Sequence, residues 1–253
     1  MSKALIGYTG FVGGNLLAQQ SFSACFNSAN IGSIEGQSFD LLVCAGVPAA
    51  KWLANKEPAR DRQVIQGLMQ HLGKVAARKL ILISTVDVYP CPVDVDEDSS
   101  IDSALCQPYG RHRLELEQFV LNNFDAMVVR LPGLFGRGIK KNIIFDFLNN
   151  NNIDQINPRG IFQFYYLNYL SRDIDIGLNN SIRLLNIASE PTTVNEVALI
   201  CLGKPLGNTI TGEGAVYDYR SRFAGLFGGR DGYMYSKEQV LSDLKSFVVS
   251  AGK

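Results

Sequence analysis

The sequence predicts an α/β fold built on a doubly wound parallel sheet, and three observations carry that expectation. Short, nearly continuous apolar runs recur along the first half of the chain. Segments with helical spacing separate them. The first run ends in a glycine-rich turn that opens the first helical segment. Apolar runs without polar alternation mark strands buried on both faces, as in a parallel sheet covered by helices on each side.

Residues 4–7 form the first apolar run, and a helical pattern follows from residue 11 to about 20. Ala24–Phe26 and residues 39–45 read as the next two strands. Residues 58–77 carry helical spacing through Val64, Leu68, Leu72 and Val75. Residues 79–84 are almost entirely apolar. A helix follows over residues 109–123, with Leu114, Leu116, Phe119 and Val120 as its apolar positions, and then the strand Ala126–Leu131. Only about a dozen residues separate Phe26 from Phe39, too few for a helix, a strand and a return. The third strand of a six-strand plan is therefore expected to be missing or vestigial.

Beyond Arg130 the pattern loosens. Residues 131–138 read as a Gly/Pro-rich loop, residues 141–148 as a helix, and Asn149 to Asn152 as the loop that ends it. Residues 163–166 and 183–187 read as further strands. The last helix spans residues 236–249, with Ser236 as its N-cap. Residues 1–138 plus about 168–190 are assigned to the sheet domain. Residues 139–167 plus 191–253 remain for a small, discontinuous C-terminal lobe.

Composition excludes several classes. With 24 Lys+Arg against 24 Asp+Glu there is no basic excess to bind nucleic acid or an anionic membrane surface. No apolar run reaches the roughly 18 residues that span a bilayer, and no secretory leader is read at the N-terminus. The 5 cysteines are scattered and never in C-x-x-C spacing, which fits a reducing cytoplasm. With 2 histidines the chain has little material for a zinc site, and no metal is expected.

The chemistry is expected at the carboxyl ends of the strands. Gly7, Gly10 and Gly13 form a G-x-x-G-x-x-G pattern between the first strand and first helix. Glycines there let a pyrophosphate approach the backbone, and the helix N-terminus supplies free N–H groups. This is the Rossmann dinucleotide context. About 20 residues on, where an acid would select NAD and a base NADP, stand Asn27 and Ser28. Neither is charged. NAD and NADP stay open, with a lean to NADP because no carboxylate repels its phosphate. Thr85 ends the strand of residues 79–84, and Tyr109 opens a helix with Arg113 at i+4 on the same face. A cation there is expected to lower the phenol pKa from about 10, making Tyr109 a candidate general acid/base.

These stretches resemble the short-chain dehydrogenase/reductase superfamily, in its extended NAD-dependent epimerase/dehydratase-like branch. The matching stretches are residues 7–13, 84–89, 109–117, 130–136, and Asn186-Ile187 with residues 193–197. The resemblance spans about 200 residues. It implies NAD(P) as cofactor and a nucleotide-linked sugar as substrate, with Thr85 and Tyr109 as the catalytic Ser/Thr and Tyr. It extends the cofactor-binding set to Thr9, Phe11, Val12, Ala45, Gly46, Leu131 and Pro132, beside Tyr109 and Arg113. It also implies a homodimer formed through the Tyr109 helix and the helix before it. The family lysine maps to Arg113, a departure. Arg can hold the nicotinamide ribose and stabilise a phenolate, but it does not release a proton for a relay. Val86-Asp87 replaces the Asp-Glu pair of the branch's dehydratases, which disfavours dehydration.

Asp87, Lys141, Asn142 and Gln163 are the candidate substrate contacts. Each also has a structural reading, as a hydrogen bond, a surface charge or core packing. An alternative to the enzyme stays open: an NAD(P)-binding protein with impaired or no catalysis, acting as a redox-sensing or regulatory partner.

Overall fold

The computed structural model describes residues 2–251. In chain order the elements are β1 (Lys3–Ile6), α1 (Phe11–Gln19), β2 (Ala24–Phe26), β3 (Ser38–Cys44), α2 (Lys51–Lys56), α3 (Pro58–Leu72), β4 (Ala76–Thr85), α4 (Pro108–Asn123) and β5 (Ala126–Leu131). Then come β6 (Gly133–Phe135), α5 (Ile143–Leu148), β7 (Ile161–Phe162), β8 (Phe164–Tyr166), α6 (Leu170–Asn179), β9 (Leu184–Asn186), β10 (Thr192–Thr193), α7 (Val194–Leu202) and α8 (Lys237–Ala251). The contacts divide into two compact units. One holds Met1–Pro90, Ser99–Arg130 and Ser171–Leu185; the other holds Cys91–Asp98, Leu131–Leu170 and Asn186–Lys253.

The first unit carries the central sheet, in the order β2-β1-β3-β4-β5-β9. β1 pairs in parallel with β2 and β3, and β3 with β4, in a register that sets Ile6 opposite both Phe26 and Cys44. Among the described residues no strand lies beyond β2. The chain from β2 to β3 makes only the 3₁₀ turn Ile31–Ile34, as the short spacing requires. Ile6, Leu42, Leu80, Leu82 and Val128 of the strands bury against Ile65 and Leu72 of α3 and Leu116 and Val120 of α4. Each such side chain stabilises the fold by about 1.5–3 kcal/mol relative to leaving it in water.

α3 stops at Leu72 instead of running to residue 77. Gly73 caps it, donating its N–H to Met69 O at 2.9 Å, and the Ala76 N–H is taken by Gln37 O at 3.0 Å as β4 joins the sheet. The ladder wins because it satisfies backbone groups that a longer helix would strand.

The second unit departs from expectation at residues 133–135. Gly133–Phe135, read from its Gly and Pro content as loop, is strand β6, paired in parallel with β8. A Cβ on Gly133 would lie 2.8 Å from the Phe164 ring, so glycine is what lets the two strands close. Phe135 stacks on Tyr166 at 5.0 Å. α7 opens with a Thr193–Glu196 capping box. Glu97 is a half-buried latch here: its carboxylate accepts from the Asn186 N–H (2.8 Å), the Ser221 hydroxyl (2.7 Å) and the Arg222 N–H (2.9 Å). Burial nevertheless pushes its pKa up.

Candidate functional site

The glycine turn follows β1. Gly7 has φ +86°, and a Cβ there would sit 2.4 Å from Ala45 O. A Cβ on Gly13 would sit 2.1 Å from Gly7 O. Both glycines are demanded by backbone packing: of β1 against the Ala45-Gly46 end of β3, and of α1 against the turn. Gly10 differs. It is exposed, its would-be Cβ is 3.2 Å from the nearest atom, and it forms the N-cap of α1 with no side-chain cap. The first turn, with Phe11, Val12 and Gly13, carries no acidic side chain. Thr9 is exposed beside it.

At the end of β2, Asn27 is bound into a local turn. Its Oδ1 accepts from the Ala29 N–H at 2.9 Å, and its Nδ2 donates to the Tyr8 hydroxyl at 3.3 Å. Ser28 is exposed. Tyr8, one of the variable positions within the glycine pattern, was not singled out by the sequence, yet its phenol reaches this strand end.

Thr85 and Tyr109 come together as expected, because α4 begins directly against the turn after β4. A Cβ on Gly110 would lie 2.0 Å from Asp87 O, so only glycine permits this approach. Backbone atoms cannot yield as a flexible side chain would. Gly110→Ala is therefore expected to cost about 1–3 kcal/mol, read as a lower urea midpoint at unchanged slope. The Thr85 hydroxyl accepts from the Asp87 N–H at 3.2 Å and lies close enough to the Tyr109 phenol to bear on its pKa. Tyr109 is only 7% exposed.

Arg113 is arranged differently from the sequence expectation. Its guanidinium lies over the face of the Tyr109 ring, 3.8 Å from the centroid. It is locked to Asp61, through Nη1 to Oδ2 at 2.6 Å and Nη2 to Oδ1 at 2.9 Å. It also donates to the carbonyls of Tyr109 (2.9 Å) and Pro48 (2.6 Å). Among the described residues its Nε is the buried side-chain atom left without a hydrogen-bond partner. His112 Nδ1 meets the same Asp61 carboxylate at 2.7 Å. Burial pushes the Asp61 carboxyl up, but hydrogen bonds from Arg113 and His112 outweigh it and hold the pKa below the usual range.

The sign of the Tyr109 shift corrects the sequence reading. Burial pushes the phenol up, and this exceeds the downward pull of Arg113; Asp87 adds to the rise, while Lys51 and the nearby Thr85 hydroxyl oppose it. The net direction is upward. A cation at i+4 fails to lower the pKa because desolvation of the phenolate is the larger effect.

Of the remaining candidates, Asp87 lies at the site and is ion-paired to Lys51 at 2.7 Å. Leu131 ends β5, and Pro132 follows it. Lys141 is exposed. Asn142 is the N-cap of α5: its Oδ1 accepts from the Ile144 N–H at 3.0 Å, and its Nδ2 donates to Leu134 O at 2.8 Å. Gln163 is 2% exposed and spent on the backbone, donating to Ser189 O and Tyr219 O and accepting from the Tyr219 N–H. Both amides thus do structural work, satisfying buried or terminal backbone groups.

No family model matches the chain, and no curated protein matches its sequence. Solved structures match its fold over its whole length. A dTDP-4-dehydrorhamnose reductase from Clostridium acetobutylicum superposes with TM-score 0.75 at 13% identity, covering 100% of both chains. MoeE5 in complex with UDP-glucose and NAD gives 0.70 at 15% identity, again over 100% of both chains. RMD from Pseudomonas aeruginosa complexed with NADPH gives 0.70 at 16% identity over 100% of both. The chain shares the fold of these proteins. No helix among the described residues is long and apolar enough to cross a membrane.

Proposed function

We propose that the protein is an NAD(P)-dependent enzyme of the oxidoreductase or epimerase type, acting on a nucleotide-linked sugar. The observation that carries this reading is the buried Tyr109 phenol paired with the Thr85 hydroxyl. The pair sits at the carboxyl edge of a parallel sheet, where open α/β folds bind their ligands. Three similar structures support it by their names: one is a nucleotide-sugar reductase, one is bound to UDP-glucose and NAD, and one to NADPH.

The residues fit a dinucleotide. Gly10 leaves the first turn of α1 open, and no acid there repels a pyrophosphate. The orphan Arg113 Nε leaves a buried donor beside Tyr109. When bound, the nicotinamide supplies hydride exchange with a sugar carbon. Tyr109 takes the proton of the sugar hydroxyl in oxidation and returns it in reduction, and Thr85 orients the same oxygen. Arg113 keeps the Tyr109 ring in place. The first unit is then the cofactor domain and the second the substrate lobe. The NADP lean has no added cation behind it, since the residues around Asn27 are uncharged.

A second reading, a cofactor-binding regulator without turnover, is favoured by one observation: Arg113 is already held by Asp61. Thermal melting separates either reading from an empty fold. Saturating NAD(P)(H) at about 100 times Kd is expected to add about 2.7 kcal/mol and raise Tm; no shift with any of the four forms overturns both. Reduction of cofactor with a panel of nucleotide sugars then decides between them. A homodimer through α3 and α4 belongs to the same proposal, and light scattering that finds only monomer at micromolar concentration counts against it.

A further inference from the structure

The helix after β3 brings a second cation to Tyr109, one that the residues around Tyr109 in the sequence do not contain. Lys51 is the first residue of α2, and its Nζ donates to Asp87 Oδ1 at 2.7 Å. Asp87 in turn donates its N–H to the Thr85 hydroxyl. One helical turn further on, Asn55 Oδ1 accepts the Tyr109 backbone N–H at 2.9 Å. Positions 51 and 55 are i,i+4 and share a helix face. That face is pinned to both halves of the site, through Lys51 to the Thr85–Asp87 turn and through Asn55 to Tyr109.

The charged or titratable side chains around the phenol are then five. Arg113 lies over the ring and is bound to Asp61, which His112 also meets; Asp87 and Lys51 come from the β4 turn and from α2. Arg113 is held by four hydrogen bonds in a side chain that is 3% exposed. It is permanently charged and fixed. Lys51 is the opposite: its side chain is 44% exposed, and ion pairs of that kind are weak.

We propose that Lys51 is a positioning residue of this site, holding a second positive charge toward the Tyr109 phenolate through Asp87, beside the fixed charge of Arg113. This rests on Tyr109 being the acid/base group, and it deepens that reading by naming the residue that adjusts it.

The test reads Tyr109 itself. A fluorinated tyrosine, whose phenol titrates below tyrosine's own, is placed at position 109 and followed by ¹⁹F NMR against pH. In Lys51→Met and Lys51→Gln the transition is expected to move up by about half a pH unit or more, the effect of removing one charge that water largely screens. Lys51→Arg is expected to restore it. Unmoved transitions in the Met and Gln proteins, or no restoration by Arg, overturn the proposal. NAD(P) binding is measured on the same samples. A protein that binds no cofactor sinks the enzyme reading but leaves the titration result intact, so the two failures are separable.

Discussion

Replacing Tyr109 with Phe is expected to lower cofactor-dependent turnover by about 10²–10⁴-fold, the usual contribution of a positioned acid/base group. Cofactor affinity is expected to stay within a few-fold. The substitution removes one oxygen and keeps the ring, so the Arg113 guanidinium retains its stacking face and its bonds to Asp61. What is lost is the proton carrier beside the Thr85 hydroxyl. Equal rates for Tyr109→Phe and wild type, with cofactor still bound, would overturn the acid/base role and leave the regulator reading. The pH dependence follows from the upward shift of the phenol. Below its pKa the group is protonated, as a general acid must be. Sugar reduction is therefore expected to hold level from neutral pH to about 10 and to fall above it. Oxidation needs the phenolate, so its rate should climb about tenfold per pH unit toward the raised pKa. A rate in the oxidising direction that levels off near neutrality would contradict the burial-driven shift.

Parts of this site were legible in the sequence because local chemistry dictates them. The glycine spacing is readable because Gly7 turns the chain with a positive φ and Gly13 packs on the Gly7 carbonyl of the same turn. The missing third strand follows from the chain length between β2 and β3. Thr85 and Tyr109 stand at a strand end and a helix start, both marked by hydrophobic pattern. The unreadable parts depend on distant partners. Arg113 is captured by Asp61, 52 positions away, so an i+4 argument could not give its orientation. Lys51 sits on a helix of six residues, too short to hold itself, and docked onto α4 through Asn55. β6 looked like a loop because its strand character comes only from pairing with β8. Gly110 carried no helix signal, and its reason is a carbonyl 2.0 Å from its would-be Cβ.

Arg130→Met is expected to destabilise the protein by about 3–5 kcal/mol, a large part of the 5–15 kcal/mol typical of a domain. Arg130 and Glu117 form a buried ion pair, with side chains 5% and 1% exposed. Two of the guanidinium nitrogens reach the Glu117 carboxylate, Nη2 at 2.6 Å and Nε at 3.1 Å, and Nη1 donates to the Tyr89 hydroxyl at 2.7 Å. Ser84 donates its hydroxyl to the same carboxylate. Burial opposes the charge on Arg130, but Glu117 more than offsets it and raises its pKa. Removing Arg130 leaves a carboxylate in the interior with one hydroxyl for a partner, and that orphan is the source of the cost. The pair itself need not add net stability, because desolvating two charges consumes most of their attraction. Glu117→Leu with Arg130→Met is accordingly expected to recover most of the loss in urea unfolding, so the coupling energy in the double-mutant cycle is at least as large as the loss recovered. A single Arg130→Met protein that loses less than about 1 kcal/mol would show that the carboxylate finds water, and the network reading would fall. Stability and activity should then part company in the double variant. Ser84 and Tyr89 flank Thr85 in sequence, and Glu117 lies on α4 two turns from Tyr109, so the network ties the two halves of the candidate site together. An apolar replacement can refill the space without fixing the Thr85–Tyr109 distance, and small misplacements of reacting groups are costly to rate. The double variant is therefore expected to melt near wild type and still turn over more slowly.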